Sequence, residues 1–220
     1  MSSIPSDEVK AGYALYTKFF LSNMYDWLFI NQILPRVYGC QNRDILELYN
    51  EHVSANHLDV GVGTGYFLDH CRFPTINPRV GLMDLNPNSL EISSRRLQRY
   101  SPETYLRNVL EPIHIDTPKF DSVGLFNLLP CLPGNMKSKK VVFEHLKSCL
   151  NPGGVVFGST ILYKGIKRGA LAALFMDFAN RRRIISNRED DLEGLNSALN
   201  ELFAKSSIKL VGCIALFWAR

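Results

Sequence analysis

Paired cysteines are missing from this chain: its five, Cys40, Cys71, Cys131, Cys149 and Cys213, are scattered, odd in number and never spaced C-x-x-C. That argues against a disulfide framework and a cysteine-built zinc site, and for a reducing compartment. Long apolar runs are missing too. The most apolar region, residues 14–37, is broken by Lys18, Asn23, Asp26, Asn31 and Gln32, so it does not read as a membrane span. The opening "MSSIPSDEVK" lacks the charged-then-apolar order of a secretory signal, and a soluble cytoplasmic protein is expected. There is no internal repeat or low-complexity tract. Charge of one sign is scarce as well: 25 Lys and Arg against 21 Asp and Glu leave +4, too little and too evenly spread to argue for a nucleic-acid partner. The one dense basic patch, Arg181-Arg182-Arg183, reads as a solvated helix end.

What is present is the mix of a globular protein, 46% hydrophobic and 21% charged over 220 residues, a length that suits one domain with a real core. Residues 8–34 carry Tyr13, Tyr16, Phe20, Met24, Trp27 and Leu28 at helical spacing, predicting one or two amphipathic helices that end near Pro35. A further helix is expected from Arg43 to His52. From residue 57 strands alternate with helices: "HLDVGV", "PRVGLMDL", "TYLRNV", "FDSVGLFNLL" and "VVFGSTIL" read as strands, with Asn86 a cap for the helix after the second and "NPGG" a stop for the helix before the fifth. Such alternation implies a parallel sheet with helices on both faces. Two helices follow, "GIKRGALAALFMDFANRRR" and "DDLEGLNSALNELF", the second with Leu192, Leu195, Leu199 and Leu202 on one side. The chain then closes in "SIKLVGCIALFWAR", two short strands turning at Gly212, a connection that allows only an antiparallel pair.

The chemistry concentrates in "HLDVGVGTGYFLDHC", where Gly61, Gly63 and Gly65 fall in the turn between the first strand and its helix. In an open parallel sheet, ligands bind at such carboxyl strand ends. A phosphate-cradling P-loop needs Lys-Ser/Thr after its last glycine, and Tyr66-Phe67 stand there instead. A dinucleotide fingerprint is G-x-G-x-x-G, but the third glycine here arrives one residue early. Asp59, two residues before the first glycine, would repel a pyrophosphate yet suits an ammonium and a sulfonium. Asp84, at the end of the second strand, can accept from both hydroxyls of a ribose. Together the carboxylates suit S-adenosylmethionine.

On these residues the chain resembles the class I, Rossmann-like S-adenosylmethionine-dependent methyltransferases. "LDVGVGTG" and "GLMDLNPNSL" match the first two motifs, "NVLEP" the third, "FDSVGLFNLLPCLPG" the fourth, and "HLKSCLNPGGVVFGST" the helix, turn and fifth strand. The resemblance covers residues 57–220 and implies an α/β fold: a seven-stranded, mostly parallel sheet with an antiparallel last strand. Residues 1–54 would be a helical cap on a core from 55 to 220, with a helical lid around 164–204. It implies that Asp59, Gly61, Gly63, Gly65, Asp84, Leu85, Asn108, Val109, Asn127 and Tyr25 hold the cofactor, which leaves as S-adenosylhomocysteine. Asn108 stands where the family usually has an Asp accepting from the adenine amino group; an amide oxygen can accept as well.

The fourth motif, Asn127-Leu128-Leu129-Pro130, lacks the Pro-Pro-aromatic pattern of members that methylate amide or base nitrogens, and no metal-ligand cluster is evident. The expected substrate is a small apolar metabolite, with Tyr16, Leu128 and Tyr163 lining its site and Leu171, Leu174, Phe175 and Phe178 an apolar lid. No catalytic base stands out; His114 and His145 both read as bystanders. Two alternatives stay open: a non-methylating, for instance pericyclic, reaction on the same fold, or a cofactor-binding scaffold.

Overall fold

The computed structural model describes residues 17–114 and 117–220; Tyr13 and Tyr16 lie outside them. From residue 17 on, the described part of the N-terminal segment is helical as expected, though irregularly wound: α1 (Lys18–Asn23) leads into a π-helix (Asp26–Ile33) that tightens to a last turn at Leu34–Arg36. The first full-length helix, α2 (Asn42–His52), starts from a capping box in which Gln41 and Asp44 satisfy each other's backbone N–H.

Strands β1 (Asn56–Val60), β2 (Arg79–Asp84), β3 (Glu103–Leu106), β4 (Phe120–Phe126), β5 (Leu150–Ile161), β6 (Ser206–Val211) and β7 (Ile214–Ala219) form one sheet in the order β3-β2-β1-β4-β5-β7-β6. The first five pair in parallel, and β7 enters antiparallel between β5 and β6. Strand order reverses beside β1, so β1 and β4 diverge from the same edge of their connections and leave a crevice at their carboxyl ends. Helices α3 (Tyr66–His70), α4 (Pro87–Arg96), α5 (Met136–Ser148), α6 (Ala170–Arg181) and α7 (Leu192–Leu202) complete the layers. Asn86 caps α4 by accepting from the Asn88 N–H, as its position predicts.

Period-two alternation distributes the strands between two cores. Val155 and Phe157 of β5 face α2, the N-terminal helices and α6, while Val156 faces α5 and α7 together with Leu58, Val60 and Phe217. On α7, Leu195 and Leu199 are buried as the spacing predicts, and Leu192 is exposed.

Two local expectations change. The "NPGG" segment does not itself end α5: the Phe120 N–H already donates to the Cys149 carbonyl at 2.9 Å, so pairing with β4 begins first and the glycines form a bulge in β5. The apolar residues of α6 are turned the other way from a lid. Ala172, Met176 and Ala179 face inward, because their small or pliable side chains allow close approach, while Leu171, Leu174 and Phe178 face solvent. Only Phe175 turns toward the cap, edge-on to Tyr38 at 6.3 Å between ring centroids. Among the described residues no helix is long and apolar enough to cross a membrane.

Candidate functional site

Asp59 follows from the alternation of β1: Leu58 and Val60 enter one core, so the residue between them enters the other face. It is buried there and accepts a hydrogen bond from the Tyr49 hydroxyl at 3.1 Å. Burial pushes its carboxyl up to about 7, against the opposing pull of that hydrogen bond. Asp84 ends β2 and accepts the Asn86 N–H at 2.8 Å. Its burial raises the carboxyl to about 6, although backbone N–H groups of Asn86, Gly63, Leu85 and Val62 favour the ionised form. The carboxylate thus organises the glycine turn that faces it.

All three turn glycines adopt positive φ. A Cβ on Gly61 would stand 2.8 Å from a Leu128 methyl, so this glycine lets the fourth-motif loop close on the turn. A Cβ on Gly63 would meet nothing within 4 Å. That side of the turn faces open space.

The space is a cleft with two lobes. One, with about 730 Å³ of empty volume open to solvent, is lined by Asp84, Leu85, Asn108, Val109, Leu128 and Leu132 among others. The second, about 450 Å³, is lined by Asp59, Gly65, Tyr49, Thr64, Tyr66 and Phe29 among others. Tyr25, Gly61, Gly63, Phe126 and Asn127 line both and mark their junction. Every residue expected to hold the cofactor therefore lies along one continuous surface. Leu128 joins it, whereas Tyr163 does not: its hydroxyl donates to Asp177 of α6 at 2.6 Å, and Arg168 stacks 3.8 Å from its ring centroid. Tyr16 lies outside the described residues.

Asn108 departs in detail from its expected use. Its amide oxygen accepts the Leu110 N–H at 3.1 Å and its amide nitrogen donates to Glu111 at 3.0 Å, which shapes the loop after β3. Asn127 takes φ 53°, a conformation asparagine tolerates, and its amide oxygen accepts from the Ser159 hydroxyl at 3.1 Å. Neither lobe is lined by a histidine. His145 Nδ1 instead meets the Val109 carbonyl at 2.9 Å behind the cleft, and buried His57 has its imidazole lowered to about 3 by desolvation.

One feature had no sequence signal. Asp26, which the sequence shows only as an interruption of an apolar stretch, accepts from the Thr64 hydroxyl at 2.6 Å and from Arg96 at 2.5 Å. Arg96 also reaches Thr64, at 3.2 Å. This triad fastens the N-terminal π-helix to the glycine turn and to α4, and so holds Tyr25 over the cleft. Its members come from three distant segments, and no local spacing connects them.

The methyltransferase-domain family model matches residues 58–156. The chain is 38% identical over 212 residues to demethylluteothin O-methyltransferase of Streptomyces thioluteus, covering 96% of this chain and 92% of that one. It is 35% identical to the physcion biosynthesis cluster O-methyltransferase of Aspergillus chevalieri, covering 94% of each. Among solved structures, DhpI in complex with SAH has the same fold, with a TM-score of 0.71 and 16% identity over 99% of this chain and 98% of that one.

Proposed function

This chain belongs to the class I S-adenosylmethionine-dependent methyltransferases, and from that premise we propose that it methylates the hydroxyl oxygen of a small, apolar metabolite whose hydroxyl is acidic, a phenol or an enol. Two relatives that align over nearly its whole length are named O-methyltransferases, which supports oxygen as the acceptor. The observation that carries the acidity is the cleft lining: two carboxylates flank the glycine turn, and apolar or aromatic residues without a histidine make up much of the rest. With no imidazole lining the cleft, and with both carboxylates given to the cofactor, no side chain is left to remove a proton at the moment of transfer, and the acceptor is one that ionises through its own acidity. We read the whole chain as one methyltransferase domain, residues 1–54 capping the core. Its five scattered cysteines, without C-x-x-C spacing, suit a reducing compartment, and we place it in the cytoplasm, acting on small molecules and not on nucleic acid.

The cleft fits the cofactor. Gly63 leaves open the space a Cβ would fill, and two carboxylates of raised pKa wait for hydrogen-bond donors and positive charge. When bound, S-adenosylmethionine supplies a methyl group on a sulfonium, whose departure as a neutral thioether needs little further assistance. We assign the ribose hydroxyls to Asp84, the adenine to the wall of Leu85, Val109 and Asn108, and the amino-acid end to the lobe of Asp59 and Gly65. Asn127 and Tyr25 stand at the junction of the lobes, and Leu128 borders the acceptor. The chain's main contribution is alignment in a dry site, an effect worth on the order of 7–11 kcal/mol in well-oriented models.

Incubation with radiolabelled S-adenosylmethionine and a panel of aromatic phenols, enols, amines and thiols tests this reading. Label is expected in the hydroxyl acceptors, with the rate rising as the acceptor's own pKa falls. Transfer to amines or thiols alone would overturn the assignment.

The two carboxylates also set a pH dependence. The folded chain keeps protons on Asp59 and Asp84 that the unfolded chain has released, since both rise from 3.8, to about 7 and about 6. Their contribution to stability is therefore present below 3.8 and is lost as pH rises through those folded values. Cofactor binding favours the ionised carboxylates, so affinity is expected to rise over the same interval with release of protons. Calorimetry in buffers of different ionisation enthalpy measures that release; proton uptake on binding would contradict it.

A further inference from the structure

Helix α6 buries one side against the cap and presents the other to water. Leu171, Leu174 and Phe178 occupy positions i, i+3 and i+7, which share one face, and they are 58%, 70% and 51% exposed. Exposed large side chains in such a row form an apolar patch, which a solitary one does not. The flanks are cationic. Between residues 164 and 188 seven Lys and Arg stand against a single acid, Asp177, an excess larger than the net charge of +4 on the whole chain. Some of these cations are matched: Lys164 lies near Glu189 and Asp191, and Arg188 near Asp177. Lys167 before the helix and Arg181, Arg182 and Arg183 at its end have no salt bridge among the described residues and are exposed. An apolar ridge with cations at both ends matches a surface that is apolar beneath and anionic at the rim.

We propose that the outer face of α6 rests in the headgroup region of a membrane carrying anionic phospholipids, with Leu171, Leu174 and Phe178 inserted and the arginines on lipid phosphates. The ridge favours lipid over an acidic protein. A protein partner needs a shaped counter-surface, whereas a bilayer accepts a convex helix and asks only for apolar side chains below and long cationic ones able to reach up to the phosphates. The Arg182 guanidinium carbon lies 5.5 Å from the Phe178 ring centroid, a cation–π contact that places a cation directly beside the apolar ridge. The helix also packs on the cap that covers the cleft, through Phe175 and Tyr38, so an apolar acceptor dissolved in the bilayer would meet the enzyme beside its site.

Flotation of the full chain with vesicles tests this without any methyl acceptor, so its outcome is independent of the acceptor assigned above. Co-flotation is expected with phosphatidylcholine vesicles containing phosphatidylglycerol, falling as salt is raised. Replacing Arg181, Arg182 and Arg183 with Gln should weaken it by about fivefold per residue, on the order of a hundredfold together. Leu174→Glu with Phe178→Glu should abolish it, while both variants keep the parent's thermal midpoint and S-adenosylhomocysteine affinity. Absence of parent flotation at low salt, or undiminished flotation of the arginine variant, overturns the proposal. So does binding to poly-L-glutamate without binding to vesicles, which would assign the face to an acidic protein.

Discussion

Asp84→Ala is expected to weaken S-adenosylhomocysteine binding by about two to four orders of magnitude, the largest loss of affinity from any single side chain in the cleft. Two ribose hydroxyls donating to one carboxylate are hydrogen bonds to a charged group, worth about 1.5–3 kcal/mol each. The same carboxylate faces the backbone N–H groups of Val62, Gly63, Leu85 and Asn86, so its removal also leaves the glycine turn without its acceptor. Asp84→Asn separates the two contributions. The amide retains an oxygen for the turn but loses charge and one acceptor, and a loss of affinity smaller than that of the alanine variant is expected, with the thermal midpoint close to the parent's. Calorimetric titration measures both. If the alanine variant stays folded and binds within a few-fold of the parent, Asp84 does not hold the ribose.

The second large effect is on stability and lies outside the cleft. Lys139 of α5 and Asp190, just ahead of α7, form an ion pair at 2.7 Å with both side chains fully buried, and Lys139 also donates to the Ser186 carbonyl at 2.8 Å. Desolvation lowers the Lys139 ammonium and raises the Asp190 carboxyl to about 6, and one Asp190 oxygen has no hydrogen-bond partner among the described residues. Lys139→Ala strands that carboxylate in the interior, and a loss on the order of 3–5 kcal/mol is expected in urea unfolding. Lys139→Met combined with Asp190→Leu removes both charges and should recover most of it, because a buried pair gains little over well-packed apolar groups. A single-variant loss under about 1 kcal/mol, on the scale of an exposed pair, would show that this one is not isolated from water. The anchor bears on the site at one remove. The Asp190 carbonyl accepts the Tyr163 and Lys164 N–H groups, each at 3.0 Å, and so ties the exit of β5 to the segment between α6 and α7.

The sequence by itself determined the sheet and most of the cleft wall. Alternation along β1 and β5, the cap at Asn86, and the turn at Gly212 are local in origin, since each depends on residues a few positions apart. The two carboxylates and the glycines between them were legible for the same reason: a strand end and its turn are one short stretch of chain, and its spacing carries the geometry. What only the tertiary structure decided joins distant segments. Asp26, Thr64 and Arg96 meet across three elements, Lys139 finds Asp190 from another helix, and Tyr163 turns to Asp177 instead of to the cleft. The outward face of α6 belongs with these. The sequence groups Leu171, Leu174, Phe175 and Phe178 on one apolar helix, but a helix with small residues on its other side can be buried by either, and the packing of Ala172 and Met176 into the core shared with the N-terminal helices settled which.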